Sequence, residues 1–483
     1  MRPLTACRPA RRVARRLIAC ASLSALSFTA LLSLAPAAHA GVFTTGFYDN
    51  GAYMSGSADE WLDRTSDVGA GMVRVHVTWA SVAPATRPAV FNPASAAEPA
   101  YDWSEIDDAV RAASAKGIDV LLSADRAPAW AEGPGRSSTA RAGTWRPDPA
   151  EFGSFAHALA ERYSGNFPDP ENAGAMLPAV DHFQAWNEPN LPTYLTPQWS
   201  SGNQPLSPGI YRQLLNTFYE NVKAVSSDNK VVAAGTAPYG DAPGIWRMRP
   251  VFFMRTLLCL SGQDLRLAPC PDPARLDVVS HHPYSVGGPR TKAHHIDNAA
   301  VPDVHKIVRV LRRAEGTGRV LPSRRKRVWV TEFSWDSRPP DPQGVPAATH
   351  ARWAEEAMYL FWKQGVDTAI WLLIRDSAPT PSYAETYQSG VFFQDGRRKP
   401  AFKAFRFPFV AERRSKTRVR VWGRALEDGT IRVQLKGKRG WRTVDRVQGL
   451  ARRTFTTALR LRGRAKLRGV ASWGTSLVWS QSK

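Results

Sequence analysis

The chain has 483 residues, 64 Lys and Arg against 42 Asp and Glu, a formal net charge of +22, and 17 tryptophans. That length holds a barrel-sized domain plus a smaller one, and the absence of any internal repeat or long low-complexity linker excludes a solenoid or linker-dominated chain. The excess charge is segregated: residues 411–483 hold 20 Lys and Arg against 4 Asp and Glu, whereas residues 41–410 balance at 38 against 38.

In chain order, residues 1–40 are expected to be a targeting segment. Arg2, Arg8, Arg11, Arg12, Arg15 and Arg16 make a basic start, Leu17–Pro36 is apolar, and Ala38-His39-Ala40 is a small-x-small cleavage signal, so the mature chain is expected to begin at Gly41. A membrane helix is the competing reading. The Leu17-Ile18-Ala19-Cys20 run has its apolar stretch after the cysteine, unlike a lipoprotein signal. The paired arginines leave general and twin-arginine export both open. The expected localisation is secreted, with no membrane anchor after cleavage. Cys7 and Cys20 leave with the signal, and Cys259 and Cys270 remain. In an oxidising compartment they are expected to pair as a disulfide, two buried thiols being the alternative.

Beyond the signal, strand and helix patterns alternate. Strands are expected at Gly41–Asn50, Gly71–Trp79, Ile118–Ser123, Phe183–Trp186, Val231–Gly235, Leu276–Ser280, Val328–Thr331 and Thr368–Ile374. Helices are expected at Asp59–Ala70, Tyr101–Lys116, Pro149–Tyr163, Ser207–Ser226, Val251–Leu260, Val304–Ala314 and Ala348–Gln364. Eight strands separated by helices give an α/β fold, a (β/α)8 TIM barrel over residues 41–410. From residue 411 the texture changes to short alternating runs split by Gly and charge, which predicts a small antiparallel β-sandwich-like domain over 411–483.

Two carboxylates stand at matching places. His182–Pro192 is mostly apolar and aromatic up to Trp186, then breaks at Asn187-Glu188-Pro189. Pro189 predicts an extended backbone at Glu188 and places it at a strand's carboxyl end. Glu332 follows the β-rich run Val328–Thr331 in the same way. Barrel enzymes mount catalytic groups at those ends, and two such carboxylates suffice for cleaving a glycosidic bond. Trp186 and Pro189 suggest a dry site that keeps Glu188 protonated, so Glu188 reads as the acid/base and Glu332 as the nucleophile. A carboxyl separation of about 5–5.5 Å and retention of configuration are expected. Either glutamate taken singly reads equally well as a surface or salt-bridged residue.

Trp186-Asn187-Glu188-Pro189-Asn190 and Thr331-Glu332-Phe333 resemble the acid/base and nucleophile motifs of glycoside hydrolase clan A, families 39 and 5 in particular. The resemblance spans residues 41–410 and matches strand positions four and seven. It implies a retaining double displacement without cofactor. It further implies that Asn187 binds the sugar hydroxyl beside the reacting carbon, that Arg74 and Tyr284 orient the nucleophile, that His282 lines the site, and that Trp371 floors the reacting sugar. Ala127-Pro128-Ala129-Trp130-Ala131 resembles a strand-three loop of family 39-like enzymes, with Trp130 as a substrate-binding candidate. The flanking loops match no single specificity. The residues support part of this unaided: Arg74, His76 and Thr78 alternate with valines, so they share the inward face of strand two, and a buried arginine needs an anion such as Glu332.

His281-His282 and His294-His295 raise a metal site, but their spacing fits no structural zinc pattern, so no metal is expected. Asp125-Arg126 reads as an ion pair at the cleft edge or on the surface. No phosphate loop or Ser-His-Asp elbow is present. The basic tail reads as a solvated β-domain covering a barrel edge, or as a site for an anionic cell-wall polymer. Nucleic acid is not an expected partner, for want of a binding motif. The expectation is therefore a secreted O-glycoside hydrolase acting on a β-linked oligo- or polysaccharide, with a non-catalytic glycan-binding barrel and a transglycosylase as its rivals.

Overall fold

The computed structural model describes residues 42–481, so the expected targeting segment 1–40 lies outside the described residues. Eight parallel strands close into a barrel: β1 (Thr44–Tyr48), β2 (Met72–Thr78), β3 (Asp119–Asp125), β4 (His182–Ala185), β5 (Lys230–Ala233), β6 (Val278–His281), β7 (Arg327–Val330) and β8 (Thr368–Leu372). Each is hydrogen bonded to its sequence neighbours, and β8 closes on β1 through the register Thr44↔Thr368 to Tyr48↔Leu372. All eight overlap the segments expected from sequence; β1, β2 and β8 lie wholly within them and the other five overrun one end by one or two residues. Helices such as Ala58–Asp67, Ser104–Ala115, Pro149–Arg162 and Ala347–Lys363 follow the strands and cover the outside. Their starts are chemically set: Asp148 accepts hydrogen bonds from the N–H groups of Ala150 and Glu151 while Pro149 occupies the first turn.

Strand alternation sorts side chains between two cores. Met72, Leu121, Val232, Val278, Trp329 and Ile370 form a separate apolar cluster, one layer from inward-facing positions of six strands. One step further towards the strands' carboxyl ends the inward face turns polar, with Arg74, Ser123, Ser280 and Thr331 and, from β4, Gln184, all buried. The barrel is thus plugged by apolar side chains below and carries buried polar groups above. The outward residues join the helices in one large core.

Cys259 and Cys270 form the expected disulfide, with Cα atoms 5.5 Å apart, across the short hairpin Leu260–Ser261 and Arg266–Leu267.

The C-terminal region forms two antiparallel sheets. One contains β9 (Phe409–Arg413), β10 (Arg418–Arg424) and β13 (Thr454–Arg460); the other contains β11 (Gly429–Gly437), β12 (Gly440–Gly449), β14 (Lys466–Ala471), β15 (Gly474–Thr475) and β16 (Trp479–Ser480). The charge step at 410/411 falls inside β9, which sequence reading missed. The apolar core runs across it: Trp422 packs on Phe43, Tyr359 and Trp362. Buried Arg424 donates to the carbonyls of Phe43 and Gly69, and burial lowers its pKa to about 10.

Candidate active site

Strand β4 ends at Ala185, and the next residues leave the extended region. Trp186 has φ +71° and Glu188 has φ +35°. This corrects the extended backbone expected for Glu188. The preference imposed by Pro189 is overridden by tertiary hydrogen bonds: Trp186 N–H to Ala124 O at 2.8 Å, Glu188 N–H to Gly235 O at 3.1 Å, and Trp186 Nε1–H to Tyr194 O at 2.9 Å. Asn190 adds a clamp, donating to the carbonyls of Ala237 and Met248 and accepting from Ala237 N–H. Two left-handed non-glycine residues flanking Asn187 are the kind of backbone strain that a surrounding network must hold in place.

Glu332 lies two residues beyond β7, across the barrel mouth from Glu188. A carboxylate oxygen of each, together with a ring nitrogen of His282, lies within 4.8 Å of the others. His282 Nδ1 is hydrogen bonded to Glu188 Oε1 at 2.9 Å and lies 3.7 Å from Glu332 Oε1; its Nε2 meets Thr331 Oγ1 at 2.9 Å. Gly235 makes room for that ring, since a Cβ there would fall 2.0 Å from His282 Nε2.

Arg74 is wholly buried and also holds Glu332. Its Nη1 donates to Glu332 Oε1 at 2.5 Å and to Thr331 O at 3.3 Å; Nη2 donates to Asn187 Oδ1 at 2.8 Å and Ser123 Oγ at 3.0 Å. The guanidinium carbon sits 4.7 Å from the Tyr48 ring centroid. Tyr284 Oη donates to Glu332 Oε2 at 3.0 Å.

This asymmetry separates the two carboxyls electrostatically. Burial raises the Glu188 pKa, with the Glu332 charge adding to it against the pull of His282 and Arg74. Burial also acts on Glu332, but the charges of His282 and Arg74 and the hydrogen bonds from Arg74 and Tyr284 outweigh it and bring its pKa below the ordinary value. One group is thus biased to hold its proton and the other to stay ionised. Each glutamate is 9% exposed, so both face a narrow opening.

The fold therefore brings together six of the residues singled out in sequence: Arg74, Asn187, Glu188, His282, Tyr284 and Glu332. Trp371 is a correction. It alternates with inward-facing Ile370 on β8, so it points into the helical layer, packs on Phe333, His350 and Phe405, and has no exposed surface for a sugar. Trp130 is half-buried against Trp79 and Phe91, and donates to Pro84 O, at the rim rather than beside the carboxylates. Asp125 and Arg126 are not partners: Asp125 bonds His76 Nε2 at 2.7 Å, whereas Arg126 turns over the Tyr194 ring. Both nitrogens of His281 are taken by Thr236 and Ala299.

Sequence reading did not assign Tyr48, Ser123, Thr331 or Tyr194 to the site. Their inward parity on β1 and β3 carried the signal for the first two. Among the described residues, Glu188, His282 and Glu332 are also a donor set close enough for a metal ion. A cation there would have to displace Arg74 from Glu332 Oε1 and His282 from its partners, so the set fits a proton network better than a metal.

No protein-family profile and no curated protein sequence matches the chain. Solved structures do. A family 39 glycoside hydrolase from the gut symbiont Bacteroides cellulosilyticus WH2 superposes with TM-score 0.53 at 17% identity, covering 86% of this chain and 80% of that one. The chain shares the fold of clan A glycoside hydrolases. A glucosidase from Croceicoccus marinus (TM-score 0.49, 14% identity, 91% and 96% covered) and a family 30 endoxylanase from Clostridium papyrosolvens C71 (0.46, 12%, 87% and 96%) also match. The family 39 superposition carries the fold comparison.

Proposed function

We propose that this chain is a retaining O-glycoside hydrolase that cleaves a β-linked glycan by double displacement. The observation that carries the reading is the Glu188/Glu332 pair, with carboxylate oxygens within 4.8 Å and pKa values displaced in opposite directions. That proximity suits direct attack by one carboxylate better than the wider gap an intervening water needs.

In the first step Glu332 attacks the anomeric carbon while Glu188 gives its proton to the leaving oxygen. A covalent glycosyl ester forms on Glu332 and the glycosidic bond breaks. In the second step ionised Glu188 takes a proton from water, which attacks the anomeric carbon and frees Glu332. Arg74 and Tyr284 keep Glu332 ionised and aimed. His282 holds Glu188, and Asn187, fixed by Arg74, offers its amide to a sugar hydroxyl. No cofactor enters this scheme.

Support for a glycan larger than one sugar comes from a cavity of about 500 Å³ beside the Glu188 loop, lined by Trp145, Trp199 and Trp246. Secretion belongs to the same reading, on the strength of the basic-apolar-small N-terminus, and cell fractionation with N-terminal sequencing tests it. The decisive experiment is Glu332→Gln assayed on a panel of aryl β-glycosides. Turnover is expected to fall by about a thousandfold or more with the melting temperature retained. A 2-deoxy-2-fluoro glycoside is expected to label Glu332 in the wild type. Undiminished turnover in the variant removes the nucleophile assignment. Labelling with release only to sugar acceptors instead of water turns the reading to a transglycosylase.

A further inference from the structure

The five-stranded sheet of the C-terminal region has one face in the core and one in solvent. Along β11, Ile431 and Val433 are buried, while Arg432 and Lys436 are exposed. The register places Arg446 of β12 opposite Arg432, Trp441 opposite Lys436, and Arg468 of β14 opposite Gln434. Continuing that register by one residue sets Lys466 beside Lys436. Five cations therefore share one outer face. No carboxylate pairs with any of them among the described residues.

The cations are held in place. Arg468 lies 4.2 Å and Lys436 5.5 Å from the Trp441 ring centroid, and Arg468 Nε donates to Gln434 Oε1 at 3.0 Å. Elsewhere in the molecule exposed cations usually meet an acid: Arg247 with Asp241, Arg290 with Glu356, Arg398 with Asp67. Unpaired like charges on neighbouring strands repel one another, so the sheet carries an unfavourable field that a polyanion would relieve.

We propose that this face binds an acidic polysaccharide, of the polyuronate type, and holds the barrel mouth on polymeric substrate. The choice of a glycan over other polyanions rests on the glycosidase reading of the mouth. The face lacks what the rivals need. Its one large aromatic, Trp441, is half-buried with cations over its ring, so it offers neither a free stacking platform for bases nor an apolar wedge for a bilayer.

The test is affinity electrophoresis of the full chain through gels containing polygalacturonate or alginate, against neutral xylan, double-stranded DNA and phosphatidylglycerol vesicles. Retardation by the polyuronates is expected at low salt, falling as salt rises. The triple variant Arg432→Gln, Arg446→Gln, Arg468→Gln is expected to lose affinity by about tenfold or more while its melting temperature and its turnover of a small aryl glycoside stay unchanged. Absence of retardation in the wild type, unchanged retardation in the variant, or tighter binding to DNA or vesicles at matched salt each overturns the proposal. Failure of the glycosidase reading would show separately, as absent aryl-glycoside turnover in wild type and variant alike.

Discussion

Two arginine-rich regions treat charge in opposite ways. At the barrel mouth Arg74 is fully buried and both its terminal nitrogens are answered, by Glu332, Thr331 O, Asn187 and Ser123, with the Tyr48 ring against the guanidinium and only Nε left without a partner among the described residues. On the outer face of the C-terminal sheet Arg432 and Arg446 stand exposed on adjacent strands, and among the described residues no carboxylate pairs with either guanidinium. Burial makes an unpaired charge very costly, so at the mouth the Arg74 charge is met directly by the Glu332 carboxylate and by neutral acceptors. In water the same lack of a partner costs little, so the sheet can carry charge in reserve. The contrast implies that removing one cation from the mouth is severe, whereas removing one from the sheet is nearly silent for stability.

Arg74→Met should break the comparison most visibly. Taking one partner from a buried pair typically costs about 3–5 kcal/mol, and here Asn187 and Ser123 also lose a donor. The expected outcome is a large fall in the denaturation midpoint and a loss of turnover near that of Glu332→Gln. Loss of the cation also raises the Glu332 pKa. In the proposed double displacement turnover requires Glu332 ionised and Glu188 protonated, so the acid limb of any residual pH–rate profile should move to higher pH and narrow the bell. Wild-type stability and an unmoved acid limb would mean that Arg74 does not govern Glu332.

Glu355 sharpens the contrast as a buried carboxyl poorly answered. It lies on the helix Ala347–Lys363, its cationic neighbour Arg352 is 3.8 Å away, and burial pushes its pKa up to about 8. The folded state thus holds this proton more tightly than the unfolded chain. Stability should fall as pH rises from the ordinary carboxyl range towards 8, and then level off. Glu355→Gln should remove that slope. It should stabilise the protein by about 2–4 kcal/mol at pH 9 and leave it nearly unchanged at pH 4. Thermal denaturation across that range checks the sign, and a destabilised variant at pH 9 would show that the carboxylate is paired after all.

Tyr284→Phe is a gentler probe of the mouth. It removes one hydrogen bond to a charged carboxylate, worth about 1.5–3 kcal/mol. A fall in kcat/KM of about 10- to 100-fold is expected, with the acid limb shifted upward and the fold intact. An unshifted limb would assign Tyr284 to substrate contact alone.

How much of this was legible beforehand follows from what each feature depends on. The barrel was readable because strand and helix periods recur eight times, and Arg74 because period-two alternation put it on one face with His76. Glu188 and Glu332 were readable from the residues that break their strands. The backbone at Glu188 was not, since its sign is set by Gly235 O, Ala124 O and the Asn190 clamp, all remote in sequence. Trp371 was misplaced for the converse reason: likeness to a family supplied a role, while its own alternation with Ile370 pointed outward. The β9 strand was hidden by a charge step that marks solvent exposure rather than a break in the chain's packing.

The smallest effect expected lies at the cavity beside Glu188. If Glu188 is the general acid, as proposed, the leaving part of the glycan extends past Glu188, towards the loop that carries it. Leu191 N–H donates to Glu188 O and Tyr194 N–H donates to Leu191 O, so this loop runs continuously from Glu188 to Thr193 and Thr196 of the cavity lining. Trp246 at its lip is 56% exposed, unusual for so large an apolar ring. Under the proposed function, Trp246→Ala should therefore raise KM about tenfold for β-linked oligosaccharides and leave aryl monoglycosides unaffected. Equal losses on both substrate types would place the leaving group elsewhere, and no loss on either would leave the tryptophan cavity outside the path of the chain.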